Sequence, residues 1–261
     1  MNVIGFVSIK GGVGKTTLAL ETAACLANKY DKRVLLIDAN FSAPNVSLYL
    51  DLTKEEGLYR ALDDLRKAHA SIYEAHGFDV IPNGLYDEGD PTKLKRLVDK
   101  LKGRYDFIII DSSPNYYELA PVVMSADRLF LVTTADNVTL QTSLKAAHLA
   151  RKKKTPVEGL IVNKIRHPRY ELSLQRMEEQ SGIPILAKIR DDKKAAESIY
   201  YKKPLSLHSP NHHISKEIRN FVSSLIGEPE QPGFFQKILP FNFSKEKVNR
   251  QLYRQMYEPQ L

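Results

Sequence analysis

Residues 10–17 read KGGVGKTT, and they follow the apolar run NVIGFVSI at residues 2–9. A short run rich in β-branched and aromatic side chains, bounded by glycines, is the pattern of a buried strand. After the loop, TTLALETAACLANKY at 16–30 carries apolar residues at helical spacing. Strand, glycine turn and helix together make a phosphate cradle. Gly11, Gly12 and Gly14 can turn backbone N–H groups inward without a Cβ clash. The start of the helix adds a field that favours negative charge. In such a loop Lys15 reaches the β- and γ-phosphates, Thr16 offers its hydroxyl to Mg²⁺, and Thr17 is placed for the α-phosphate. Gly11, Gly12, Val13, Gly14, Lys15, Thr16 and Thr17 are therefore the candidate nucleotide-binding residues. Two features depart from the general G-x-x-x-x-G-K-[ST] pattern: position 9 is Ile9, and a second lysine, Lys10, stands at the mouth of the loop.

Outward from the loop the chain alternates. RVLLID (33–38), FDVIPNG (78–84), YDFIIID (105–111), DRLFLVTT (127–134), VEGLIVNKI (157–165) and IPILAKI (183–189) read as strands. Helical patterns lie between them at 91–102, 139–154 and 171–182, with a last one at about 211–226. Near-continuous apolar strands alternating with amphipathic helices predict an α/β fold: a doubly wound, mostly parallel sheet with helices on both faces. Gly227 and the following EPEQPG read as a helix stop and a linker. The expected organisation is a nucleotide-binding domain at 1–227, a linker at 228–233 and a helical C-terminal appendage at 234–261.

The hydrophobic share of 43% suits a globular core, and the formal charge of +7 permits a polyanionic partner without choosing between nucleic acid and an anionic membrane. A single cysteine, Cys25, excludes a disulfide framework or a cysteine metal cluster built from one chain; its apolar helical setting predicts a buried thiol. No basic leader precedes the first strand, and no apolar run approaches the ~20 residues of a spanning helix. The expected location is the cytoplasm, peripheral on the inner face of the cell membrane.

KGGVGKTT resembles the deviant Walker A loop of the ParA/MinD family of ATPases, in which a lysine precedes the glycine pair, and the resemblance extends over roughly residues 2–226. It implies ATP and Mg²⁺ as ligands and a nucleotide-dependent homodimer. In that family the early lysine enters the partner subunit's nucleotide site, which is the role carried to Lys10; a charge delivered in trans stabilises developing phosphate charge only when the dimer closes. Asp38, at the end of the second strand, matches the first acid of the family's switch segment, near the Mg²⁺ water shell. The family commonly has an aspartate two residues later, orienting the attacking water; here Asn40 stands there. An amide can hold a water but cannot serve as a carboxylate base, so slow intrinsic hydrolysis is expected unless another group positions the water. Asp111 with Pro114 resembles the Walker B segment and would hold Mg²⁺ through water. Asn163 corresponds to an asparagine that contacts the adenine edge, and PILAKIRDD at 184–192, ending in RDD, to a loop packing on the base. A guanine-reading N-K-x-D motif would need aspartate where Arg166 stands.

Beyond the linker, Phe234, Phe235, Ile238 and Leu239 share one helical face, with Gln236 and Lys237 on the other and Pro240 stopping the helix. This resembles the membrane-targeting segment of MinD-like members. One copy binds a membrane marginally, and two copies in a closed dimer gain by effective concentration. The alternative destination of these aromatics is the domain surface or a subunit interface. Residues 244–261 continue past that segment, with Val248, Leu252 and Met256 in a narrow stripe. Three functions follow: a MinD-like ATP switch on a membrane, regulating a partner and answering to an activating protein; a ParA-like DNA-associated partition ATPase using patches such as RKKK at 151–154 and Lys164, Arg166 and Arg169; or a nucleotide-gated scaffold with little turnover. The first is favoured over the nucleic-acid reading because DNA backbone offers the tail aromatics no destination.

Overall fold

The computed structural model describes residues 2–52, 57–84, 89–166 and 169–228. The expected appendage at 234–261, and all of the linker except Glu228, lie outside the described residues. Eight strands, β1 (Asn2–Val7), β2 (Val34–Ala39), β3 (Tyr73–Ala75), β4 (Phe78–Ile81), β5 (Phe107–Ser112), β6 (Arg128–Thr133), β7 (Val157–Ile165) and β8 (Ile185–Arg190), form one sheet in the order β3-β4-β2-β5-β1-β6-β7-β8. Every neighbouring pair is parallel except β3–β4. Ten helices accompany it: α1 (Lys15–Tyr30), α2 (Val46–Leu50), α3 (Leu58–Asp63), α4 (Leu94–Leu101), α5 (Tyr116–Ser125), α6 (Asn137–Lys153), α7 (Leu174–Ser181), α8 (Lys193–Tyr200), α9 (Leu205–His208) and α10 (His213–Ile226), counted among the described residues.

The period-two geometry of a strand splits the apolar residues between two cores. Along β1, Val3 and Val7 join one cluster, while Ile4 and Phe6 join the other. The first cluster takes its covering residues from α4, α5 and α6, including Leu97, Val122 and Leu140. The second is closed by α1 and α10, through Leu18, Ala23, Leu26, Phe221 and Val222. There Phe6, Phe130 and Phe221 pack ring on ring, with Phe130 and Phe221 centroids 5.1 Å apart. Burying each such ring contributes roughly 1.5–3 kcal/mol, which fixes α10 to the sheet. α10 ends at Gly227 in the left-handed conformation (φ 73°), with the Glu228 N–H bonded to the Ser223 carbonyl, as the expected helix stop requires.

Several features differ from the sequence reading. β1 stops at Val7, two residues early, because the loop begins at Ser8. The pattern at 91–102 opens as a 3₁₀ turn, Pro91–Lys93, before α4. α5 was not expected at all. Pro121 lies inside it, and Asn115 caps it by accepting the Tyr117 N–H at 3.1 Å. The sheet also gains an antiparallel edge from a two-residue turn, His76-Gly77, both at positive φ.

Candidate nucleotide site

The site lies where parallel strands β1, β2 and β5 end, the position a doubly wound sheet reserves for ligands. Gly12 (φ 74°) and Gly14 (φ 96°) turn the chain from β1 into α1, and Gly14 is the N-cap of that helix. A Cβ on Gly14 would fall 2.2 Å from Nδ2 of Asn163. That amide donates to the Val13 carbonyl at 2.8 Å, so β7 props the loop from beneath. Asn163 is the residue expected to meet the adenine edge; one of its two amide N–H groups is bonded to the loop itself. It nevertheless borders a pocket with Leu18, Ile189, Asp191, Ile214 and Ile218, whose apolar walls could hold a flat base. Asp191 and Asp192 of the RDD segment join that lining.

The two lysines of the loop occupy opposite environments. Lys15 is buried, with 6% of its surface exposed, and its Nζ donates to the Lys10 carbonyl at 3.4 Å. Burial pushes the Lys15 pKa down, and the Asp111 charge opposes that shift. Lys10 has an exposed side chain. It borders a hollow shared with Asp136, Val138, Lys164 and Tyr170. Val138 and Tyr170 are 69% and 81% exposed, so the face around Lys10 is apolar as well as cationic.

Asp38 and Asp111 stand side by side in the β2–β5 register and both are fully buried. Asp38 Oδ1 accepts the Asn40 N–H at 3.1 Å, and Oδ2 accepts those of Asn45 and Val46 at 3.1 and 3.0 Å. It therefore anchors the segment that follows β2. Asp111 Oδ2 accepts the Thr16 hydroxyl at 2.6 Å, while its Oδ1 is buried with no hydrogen-bond partner. Burial raises the pKa of both carboxyls. The Asp111 charge raises Asp38 further, whereas the Thr16 hydrogen bond and the Lys15 charge pull Asp111 back. Two buried carboxylates with a spare lone pair and a hydroxyl form a hard oxygen set that fits Mg²⁺.

Several contacts were not legible in the motif. Ser42 donates to Glu118, tying the segment after β2 to α5. Asn40 is buried, its Nδ2 donating to the Ala43 carbonyl while its Oδ1 accepts the Ala43 N–H at 3.3 Å. Its amide thus clasps its own loop in both directions. A carboxylate could reproduce only the second of these bonds. Cys25 is buried in α1, and burial pushes its thiol up to about 12, so it is inert.

Comparison with known proteins agrees with this geometry. The family model described as "CobQ/CobB/MinD/ParA nucleotide binding domain" matches residues 4–205. An uncharacterised ATP-binding protein of Methanocaldococcus jannaschii is 27% identical over 234 residues, covering 86% of this chain and 87% of that one. The septum site-determining protein MinD of Synechocystis is 29% identical, covering 78% and 81%. The fold is similar to the cell division ATPase MinD of Pyrococcus furiosus, with a TM-score of 0.80 at 24% identity over 86% of this chain and 98% of that one. MinD of Pyrococcus horikoshii, solved with Mg-ADP, superposes with a TM-score of 0.79 at 24% identity, covering 86% and 95%. The chain is thus a MinD-like member of the ParA/MinD family of nucleotide-binding domains.

Proposed function

We propose that this protein is an ATP-operated switch that closes as a homodimer around Mg²⁺ and nucleotide and then holds a membrane surface, where it positions or regulates a partner. The observation that carries the reading is the convergence of buried Lys15, the Thr16–Asp111 bond and the orphaned Asp111 Oδ1 at the mouth of the glycine loop. Bound Mg²⁺ would supply charge neutralisation for the phosphates. Lys15 and the loop N–H groups orient them, and Thr16 and Asp111 are the residues placed to hold the ion. The exposed apolar surface around Lys10 supports docking of a second copy there, with Lys10 delivered to the partner subunit's nucleotide. Asp38 and the clasped segment after it would carry the state of the site to that surface.

Turnover is slow in this proposal because the Asn40 amide is committed to Ala43 rather than to a water. Asn40→Asp should raise the single-turnover hydrolysis rate and, by setting a carboxylate against the Ala43 carbonyl, lower stability by about 1–3 kcal/mol. An unchanged rate would assign the water to another group. The DNA-associated reading rests on Lys164, Arg166 and Arg169, of which Arg166 pairs with Asp191, and on the basic run at Arg151–Lys154, which closes α6 as cations at a helix C-terminus ordinarily do.

Among the described residues no helix is long and apolar enough to cross a membrane, so attachment would rest on Phe234, Phe235, Ile238 and Leu239. Co-sedimentation with anionic liposomes tests this, comparing ATP·Mg²⁺, ADP and no nucleotide beside a chain ending at Gly227. Pelleting is expected only with both ATP and the tail. A full chain that stays in solution with ATP would remove the membrane from the proposal.

A further inference from the structure

Two adjacent histidines at the start of α10 are used by no step of the nucleotide chemistry. His212 is the N-cap of that helix and His213 its first residue, and their rings lie 4.2 Å apart between centroids. Both turn toward Asp192, the N-cap of α8. Asp192 divides its oxygens: Oδ1 accepts the Lys194 N–H at 2.9 Å, and Oδ2 lies 3.6 Å from His212 Nε2 and 3.9 Å from His213 Nε2. One ligand atom from each of the three residues falls within 4.8 Å of the others. His213 Nε2 and His212 Nδ1 are shielded from solvent yet have no hydrogen-bond partner.

A helix N-terminus gives no reason for this arrangement. It favours anions, so imidazoles serve it poorly as charges, and the N-cap His212 makes no side-chain capping hydrogen bond to α10. The shielded Nε2 of His213 and Nε2 of His212, both facing one oxygen of Asp192, are the donor set of a metal centre.

We propose that Asp192, His212 and His213 form a three-ligand site for a borderline transition-metal cation, Zn²⁺ being the one tested, with water in the fourth position. Tetrahedral zinc with bonds of about 2.0–2.1 Å places its ligands about 3.3 Å apart. The observed 3.6 and 3.9 Å separations therefore close by a few tenths of an ångström on loading. Imidazole nitrogen selects against Mg²⁺, which separates this centre from the oxygen set at Asp111. Its three ligands come from two segments, the turn after β8 and the start of α10. Asp192 and Ile214 also line the apolar pocket beside the glycine loop, so the ion would pin two walls of that pocket together.

The test uses the full chain without an affinity tag, dialysed against micromolar Zn²⁺ with millimolar Mg²⁺ present to occupy the P-loop carboxylates. One zinc should be retained per chain. The His212→Gln/His213→Gln double variant should lose that equivalent, and Asp192→Asn should weaken it by about 10-fold or more. Asparagine can still accept the Lys194 N–H, so this second variant keeps the α8 cap if the double variant folds poorly. Thermal transitions of the metal-free proteins establish folding. Zinc retained equally by parent and variants, or no zinc retained by the parent, would overturn the assignment. Neither outcome depends on nucleotide binding.

Discussion

Replacing Lys15 by glutamine should lower ATP affinity by about 100-fold while leaving the nucleotide-free protein at least as stable as the parent, because charge-assisted hydrogen bonds are worth about 1.5–3 kcal/mol each and phosphate contact engages more than one. The two halves of this expectation have one cause. In the fold Lys15 is buried beneath its own loop, and its Nζ meets only the Lys10 carbonyl among the hydrogen bonds of the described residues. Burial disfavours the ammonium and pushes its pKa down, so the charge is held at a cost that phosphate oxygens would recover. Glutamine keeps most of the stem and an N–H donor for the Lys10 carbonyl while removing the buried charge. Titration calorimetry with ATP and a thermal scan without it separate the effects. Loss of stability together with affinity would mean that Lys15 serves the fold rather than the phosphates.

The second large effect is expected at Asp111. Asp111→Asn should abolish the dependence of nucleotide affinity on Mg²⁺ and slow hydrolysis by about 100-fold, since the metal supplies several kcal/mol of transition-state charge stabilisation. The same substitution should change how stability depends on pH. Asp38 and Asp111 both have pKa values raised above the ordinary carboxylate range, chiefly by burial. Above pH 4 the folded protein therefore holds protons that the unfolded chain has lost. Stability must then fall as pH rises toward neutrality, until the raised native pKa values are passed. Asp111→Asn removes one of the two groups and the charge that raises the other, so the slope should flatten. Millimolar Mg²⁺ should flatten it in the parent as well, by favouring both ionised forms. Melting temperatures from pH 4.5 to 8, with and without Mg²⁺, measure this directly. A slope no flatter in Asp111→Asn than in the parent would show that the pair ionises without penalty and would remove the case for a cation beside it.

The loop and its acids were legible because their chemistry is local. KGGVGKTT declares a strand, a turn and a helix start within a few residues, and Asp38 and Asp111 each close an apolar strand. The parallel sheet followed from runs such as FIIID, too continuous in apolar character to have a wet face. What was hidden depends on distant partners or on rules that conflict. Asn163 reads as a base contact, and its further bond to the Val13 carbonyl, 150 residues earlier, appears only when β7 packs under the loop. α5 was concealed by Pro121, which breaks the local helical pattern; the structure tolerates it inside a helix capped by Asn115. Asn40 was recognised as a departure from the family's aspartate, yet its clasp on Ala43 could not be read from a single substituted position. His212 and His213 look like an ordinary entry to α10, and only the return of Asp192 against them gives their pairing a chemical meaning.

Light scattering on the full chain tests the nucleotide switch most directly, because slow turnover at Asn40 should let an ATP-bound state persist through the measurement. The expected result is a doubled mass with ATP·Mg²⁺, a single-chain mass with ADP, and a single-chain mass for Lys10→Ala with either nucleotide. An identical mass with ATP and ADP would contradict the switch. A doubled mass for Lys10→Ala with ATP would leave the dimer standing and would show that Lys10 does not hold it together.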